Sequence, residues 1–81
     1  PIRSVAGVEV AALFKELFSG AVKLSLRATG DVDVQAIASV FGGGGHRKAA
    51  GATLRTGLDE SIAAVEQEVQ KALAVLEARG T

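Results

Sequence analysis

The sequence has no cysteine, tryptophan, tyrosine or methionine, and it has only one histidine and one proline. Without cysteine, the chain can form neither disulfides nor thiolate metal sites, and it has no cysteine nucleophile. One histidine cannot supply the three or four ligands of a usual zinc site, and no nucleophile elbow accompanies it. We therefore expect no catalytic residue and no metal site in this chain.

Other absences concern where the protein resides and how large it is. No apolar run reaches the 18 residues of a membrane helix, and no basic-then-apolar leader is present. Because the lack of cysteine also suits a reducing compartment, we expect a cytoplasmic protein without a membrane partner. The missing methionine, together with proline in first position, leads us to expect a piece of a longer protein.

The composition predicts one small domain over residues 1–81. Hydrophobic residues make up 48% of the chain, and three phenylalanines are the only aromatic residues. A core of Ala, Val, Leu and Ile suits α/β layering, and no aromatic platform is offered for stacking bases. Nine basic and nine acidic residues cancel, which argues against a domain that wraps a long nucleic acid by charge alone.

The first third of the chain predicts an antiparallel hairpin. Residues 4–18 fit both strand alternation and helical spacing, but the turn signal at Ser19-Gly20 favours a strand. Apolar and polar residues then alternate strictly over residues 22–29, which is typical of a half-buried strand. Since Ser25 and Arg27 fall on the same face of that strand, a hydroxyl and a guanidinium project together.

A short helix is predicted next. Asp33 is a suitable N-cap, the helix should run to about Phe41, and Gly42 should follow it as the C′ residue. Its buried side is expected to carry Val34, Ile37, Ala38 and Phe41.

The last third predicts a helical turn, a strand and a long amphipathic helix. We expect the turn through Ala49 and Ala50, and the strand over residues 52–55. Thr56 and Asp59 have the spacing of a capping box, and Arg79-Gly80 marks the end of the helix. Apolar residues recur at spacings of three and four along it, namely Leu58, Ile62, Val65, Val69, Leu73 and Leu76. The fold class that we expect is α/β, with a small mixed sheet (the hairpin plus a further short strand) packed against helices. This long helix is expected to cover the sheet, with a solvated outer face.

A run of four glycines, residues 42–45, stands before His46, Arg47 and Lys48. Ordering such a run costs about 2–4 kcal/mol relative to alanine, but it lets backbone N–H groups approach an anion closely. With Gly42 assigned to the helix end, the other three glycines are the functional candidates. Residues 42–58 contain three cations and no carboxylate, so we expect a positive potential here. A flexible linker is the alternative reading of the run.

The run does not match the common phosphate loops. A P-loop requires Lys-Ser or Lys-Thr after its last glycine, and a dinucleotide-binding fold requires its glycines directly after a strand. His46 alone could be a structural histidine, and Arg27 alone could be an exposed edge charge.

The string GGGGHRKAAG over residues 42–51, preceded by Ser25-Leu26-Arg27 and by residues 33–38 (DVQAIA), resembles the DHH-associated domain. This domain is the C-terminal lobe of DHH-family phosphoesterases, and the likeness extends from about Val8 to the last helix. In that family a separate N-terminal DHH domain binds two metal ions, usually manganese, and hydrolyses a phosphoester. The resemblance implies that this chain alone is inactive and binds the nucleotide or short single-stranded oligonucleotide for that partner.

The resemblance also implies roles for individual residues. Arg27 would hold a substrate phosphate with help from Ser25, and His46 would donate to a phosphate oxygen, with Arg47 beside it. The glycines Gly43, Gly44 and Gly45 would present backbone to the terminal nucleotide. The family often has serine after the arginine, where this chain has Ala28, so a contact from that position is not expected.

Two other functions compete with this interpretation. A related glycine-rich domain ends alanyl-tRNA synthetases and would make the chain an RNA-binding module, although its loop typically lacks the histidine followed by Ala-Ala-Gly. Alternatively, the chain could be an autonomous interaction domain that docks through its long helix, which an exposed apolar stripe would favour. The exact substrate, the cleavage polarity and the oligomeric state are not predicted.

Overall fold

The computed structural model describes residues 2–5 and 7–79, which form one five-stranded sheet and two helices. In chain order the elements are β1 (Ile2–Val5), β2 (Val8–Glu16), β3 (Val22–Thr29), α1 (Val34–Val40), β4 (Gly44–His46), β5 (Ala49–Leu54) and α2 (Leu58–Arg79). The predicted α/β class is confirmed, with a hairpin packed against helices and a long C-terminal helix.

The sheet has the strand order β1-β2-β3-β5-β4, and each of these pairings is antiparallel, where a mixed sheet was expected. The predicted β2–β3 hairpin is confirmed, with register pairs running from Glu16 opposite Val22 to Glu9 opposite Thr29. A second hairpin joins β4 to β5 through Arg47 and Lys48. After β3 the chain forms α1 and returns to the sheet as the edge strand β4. Strand β5 then lies between β4 and β3.

Residues 4–18 form parts of two strands where the sequence predicted one. Gly7 has a φ of 78°, which lets the chain turn back so that β1 pairs with β2. Arg3 of β1 forms a two-pronged ion pair with Glu66 of α2, with Nε donating to Oε1 at 3.1 Å and Nη2 donating to Oε2. These hydrogen bonds lower the pKa of Glu66. The pair therefore stabilises the fold at neutral pH, and that contribution is lost in acid as the carboxyl protonates.

The helical turn predicted at Ala49 and Ala50 is wrong, because both residues belong to β5. Ala50 pairs with Leu26 of β3 on one side and with Gly45 of β4 on the other. The high helix propensity of alanine is worth only tenths of a kilocalorie per residue, and pairing on both edges outweighs it.

The predicted helix α1 is confirmed at both ends. The Asp33 side chain accepts hydrogen bonds from the Gln35 and Ala36 N–H groups, at 2.9 and 3.3 Å. At the other end, the Gly42 N–H donates to the Ser39 carbonyl and the Gly43 N–H donates to the Ala38 carbonyl. This pair of bonds is a Schellman motif, and Gly42 takes the left-handed conformation that it needs, with a φ of 79°.

The long helix α2 is confirmed to Arg79, whereas Gly80 lies outside the described residues. Gly57 precedes the helix and accepts the Ser61 N–H at 2.9 Å. Instead of completing a capping box, the Thr56 hydroxyl lies 2.9 Å from the Ser61 hydroxyl. Ser61 is fully buried. The buried face of α2 therefore includes Ser61 where the predicted apolar stripe had Ile62. In the described part of the chain, neither helix is long and apolar enough to cross a membrane.

Both helices pack on the same face of the sheet. Helix α1 contacts β3, β4 and β5, and helix α2 contacts β1 and β2. Val65, Val69 and Leu73 of α2 are buried in the shared core, so the apolar stripe is used inside the domain and does not favour the docking alternative. The rest of that core is Val8, Val10, Ala12, Val22, Leu24, Leu26, Val32, Val34, Ile37, Ala38 and Leu54.

Candidate functional site

The sheet face opposite the helices is uncovered in the described structure. Along β3 the buried residues Leu24 and Leu26 alternate with Lys23, Ser25 and Arg27. Because successive side chains of a strand point to opposite faces, these last three project away from the helices. We call this the open face.

The register of the sheet brings the predicted site residues into two neighbouring rows. In the first row, Arg27 is opposite Ala49 of β5, and Ala49 is opposite His46 of β4. In the second row, Ser25 is opposite Gly51, and Gly51 is opposite Gly44. The α carbons of Arg27 and His46 are thus two strands, about 10 Å, apart.

A shallow depression of about 460 Å³ extends over these two rows across β3, β5 and β4, and His46 lies beside it without lining it. Its floor has almost no side chains, because Gly44, Gly51 and Ala49 lie at its centre. Arg27 and Lys23 stand at its β3 side, and no carboxylate lines it. A shallow, positively flanked hollow with exposed backbone suits a phosphate-bearing ligand.

The glycine run itself divides into structural and accessible positions. A Cβ at Gly43 would lie 2.0 Å from the Gly51 carbonyl oxygen, and one at Gly45 would lie 2.7 Å from the Ala49 carbonyl oxygen. Gly45 also has a φ of 140°. Glycine is therefore required at both positions by the close approach of β4 to β5, so these two functional candidates also have a structural reason to be glycine.

Gly44 differs from its neighbours. A Cβ at Gly44 would meet nothing within 4 Å, and its φ lies outside the left-handed region. The fold therefore does not require glycine here. Gly44 lines the depression, and its lack of a side chain leaves the backbone of β4 accessible there.

The structure does not bring Arg47 into the depression. Its Nη2 donates to the Asp31 carboxylate at 2.9 Å, and its carbonyl accepts the Val34 N–H at 2.9 Å. The Lys48 carbonyl likewise accepts the Ala28 N–H at 3.0 Å. The β4–β5 turn thus fastens itself to α1 and β3, and one of the cations expected to make the glycine run positive is paired.

The cations of the depression come instead from β3. Lys23 and Arg27 are both exposed and belong to the same alternating set as Ser25. The sequence pattern contained this information for Lys23, because the alternation places it on the same face. The β2–β3 hairpin places Lys15 opposite Lys23. That contact follows from the register of the paired strands and could not be read from the alternation alone.

The described residues do not fit a metal centre. Over residues 2–5 and 7–79, no three His, Cys, Asp or Glu side chains are grouped so that they could hold a metal ion. The resemblance places the two manganese ions in a separate N-terminal domain and not among these side chains.

Comparison with known proteins identifies the type of domain. The family model described as the DHHA1 domain matches residues 2–79. The chain is also 42% identical over 73 residues to the bifunctional oligoribonuclease and PAP phosphatase NrnA of Thermus thermophilus. The alignment covers 89% of this chain and 22% of that protein, so the chain spans about a fifth of the length of its relative. The chain belongs to the DHHA1 family, the DHH-associated C-terminal domains.

Proposed function

We propose that this domain is the substrate-binding lobe of a metal-dependent DHH-family phosphoesterase that acts on short oligonucleotides or nucleotide phosphates. The observation that carries the proposal is the depression on the open face, which combines a floor of small residues with two flanking cations and no carboxylate. The relative in Thermus thermophilus is named as an oligoribonuclease and PAP phosphatase, which agrees with a phosphate-bearing substrate.

Each residue of the site contributes a different contact. Arg27 offers a planar guanidinium that can hold a phosphate through two hydrogen bonds. Ser25 adds a hydroxyl in the next row, and His46 offers a ring N–H from the sheet edge. Gly44 and Gly51 leave space for the ligand to lie directly on the backbone.

The chemical step belongs elsewhere in this proposal. The described residues of this chain show no metal-binding cluster, and we assign none of them to bond cleavage. An N-terminal DHH domain of the same protein would supply two manganese ions and the hydrolytic residues, and the depression would face it across a cleft. Accordingly, the domain alone should bind nucleotides without hydrolysing them.

The RNA-binding function of an alanyl-tRNA synthetase domain is the alternative, and the comparisons do not favour it. The matched relative is a nuclease and phosphatase by name, and it is similar over 89% of the chain. The small depression also suits a terminal nucleotide better than an extended folded RNA.

Phosphate recognition can be tested with two ligands that differ in one group. The chain should bind AMP weakly, in the millimolar range that corresponds to about 4 kcal/mol, and it should bind adenosine more weakly still. Phosphorus NMR of AMP titrated with the protein should show a shift that saturates and that weakens as salt is added. Equal affinity for adenosine and AMP would contradict the proposal, because the phosphate would then contribute nothing.

A further inference from the structure

We propose that Lys15 and Lys23 form a second phosphate subsite on the open face, which makes the site selective for oligonucleotides with several phosphates over mononucleotides. This inference rests on the proposed function, because it extends the same site toward the β2–β3 turn. The ligand class is a short single strand whose backbone runs along β3 from Arg27 to Lys23.

The two lysines lie side by side on the open face. Lys15 of β2 lies directly opposite Lys23 of β3, and both side chains are exposed. Directly opposed residues have Cβ atoms about 4.5–5.5 Å apart and project to the same face. By the alternation along β3, that face is the one that carries Arg27.

Placing these two lysines opposite each other costs the fold some stability. Like charges directly opposite each other destabilise a sheet. In the described ranges, 2–5 and 7–79, the ion pairs involve Arg3, Arg47 and Lys71, so neither Lys15 nor Lys23 has a carboxylate partner there. A phosphate that binds between these two ammonium groups would supply the negative partner that they lack in the described ranges.

The lysine pair and Arg27 are separated along β3. Lys23 and Arg27 are four residues apart on β3, which separates their α carbons by about 13 Å. Both line the same depression, so one continuous hollow connects the two positive rows. Beyond Arg27 the next row carries Glu9 opposite Thr29, so the positive track extends toward the hairpin turn and not away from it.

The residue between the two positive rows is apolar. Leu13 is opposite Ser25 and is 73% exposed. It therefore offers an apolar surface midway between Arg27 and the lysine pair, where a base could pack while its flanking phosphates contact the cations.

The test compares AMP with 5′-phosphorylated triadenylate RNA on three proteins of the full 81-residue chain. These are the unaltered chain, the double variant Lys15→Gln/Lys23→Gln, and the control variant Lys71→Gln/Arg79→Gln. The control removes the same charge from α2, which packs on the other face. Affinity is measured over a salt series, because each phosphate contact of a single strand adds about 0.7 to the slope of log K against log salt.

The lysine variant should bind triadenylate at least about tenfold more weakly at low salt, and its salt slope should fall by about 0.7, the value for one phosphate contact. Its affinity for AMP should fall by less than its affinity for triadenylate, because Arg27 still contacts the single phosphate, and both affinities of the control should stay unchanged. For the single variant Lys23→Gln, the fall in the salt slope should be about half of the fall for the double variant. Its melting temperature should stay the same or rise, because a repulsion is removed.

The outcomes separate the two proposals. If AMP binds but triadenylate shows the same salt slope with and without the two lysines, the second subsite is wrong and the proposed function stands. An equal loss in the control variant would also overturn it, since net charge alone would then explain the effect. If the unaltered chain binds neither ligand, both proposals fail.

Discussion

Replacing Gly43 by alanine should destabilise the domain by about 2–4 kcal/mol, whereas the same change at the next residue should not destabilise it. A Cβ at Gly43 would lie 2.0 Å from the Gly51 carbonyl oxygen and 2.6 Å from the Ala52 Cβ. Neither atom belongs to a flexible side chain, so strands β4 and β5 would have to separate. In a domain of this size, such a loss lowers the melting temperature by about 10 °C or more.

Gly44→Ala is the matched control, because it adds the same methyl group one residue later. Nothing lies within 4 Å of a Cβ there, and a glycine-to-alanine change at a compatible position can stabilise by about 0.4–1 kcal/mol. In thermal melts, the melting temperature should therefore fall for Gly43→Ala and should stay unchanged or rise slightly for Gly44→Ala. If both lower the melting temperature equally, the separation into structural and accessible glycines is wrong.

The second large effect concerns turnover by a full-length protein that carries this domain beside a DHH domain. Arg27→Ala and His46→Ala should each lower kcat/KM for a nucleotide substrate by about tenfold to a hundredfold. Each change removes an oriented charge-assisted hydrogen bond to phosphate, and such bonds contribute about 1.5–3 kcal/mol. Both side chains are exposed, so stability should stay within about 0.5 kcal/mol of the unaltered protein.

Arg55→Ala provides a control for the loss of one exposed guanidinium. Arg55 follows β5 and does not line the depression, so its removal should leave kcat/KM nearly unchanged. Steady-state kinetics and thermal melts on the same samples distinguish binding from scaffolding. A sharp fall in melting temperature for Arg27→Ala or His46→Ala, with unchanged activity per folded molecule, would contradict the roles assigned to them.

The parts of the fold that local pattern controls could be predicted from the sequence. Asp33 caps α1 as its side-chain chemistry predicts, and the alternation over β3 correctly separates Leu24 and Leu26 from Ser25 and Arg27. In each case the physical cause lies within a few residues of the chain. The same holds for the long apolar stripe of α2.

What could not be predicted depends on residues that are distant in sequence. Ala49 and Ala50 form a strand because β3 and β4 pair with them, and nothing local signals those partners. Gly43 needs to be glycine because of Gly51, eight residues away. The pairing of Arg47 with Asp31 likewise depends on how the β4–β5 turn folds back toward α1.

The most direct test of the account is a residue-resolved map of amide chemical shifts as the 81-residue chain is titrated with AMP. We expect the largest changes at Ser25, Arg27, Gly44 and Gly51, which line the depression, and a change at His46 beside them. Helix α2, on the other face of the sheet, should show little change. Shifts confined to α2, or shifts that avoid residues 43–47 altogether, would contradict the claim that the open face binds the nucleotide.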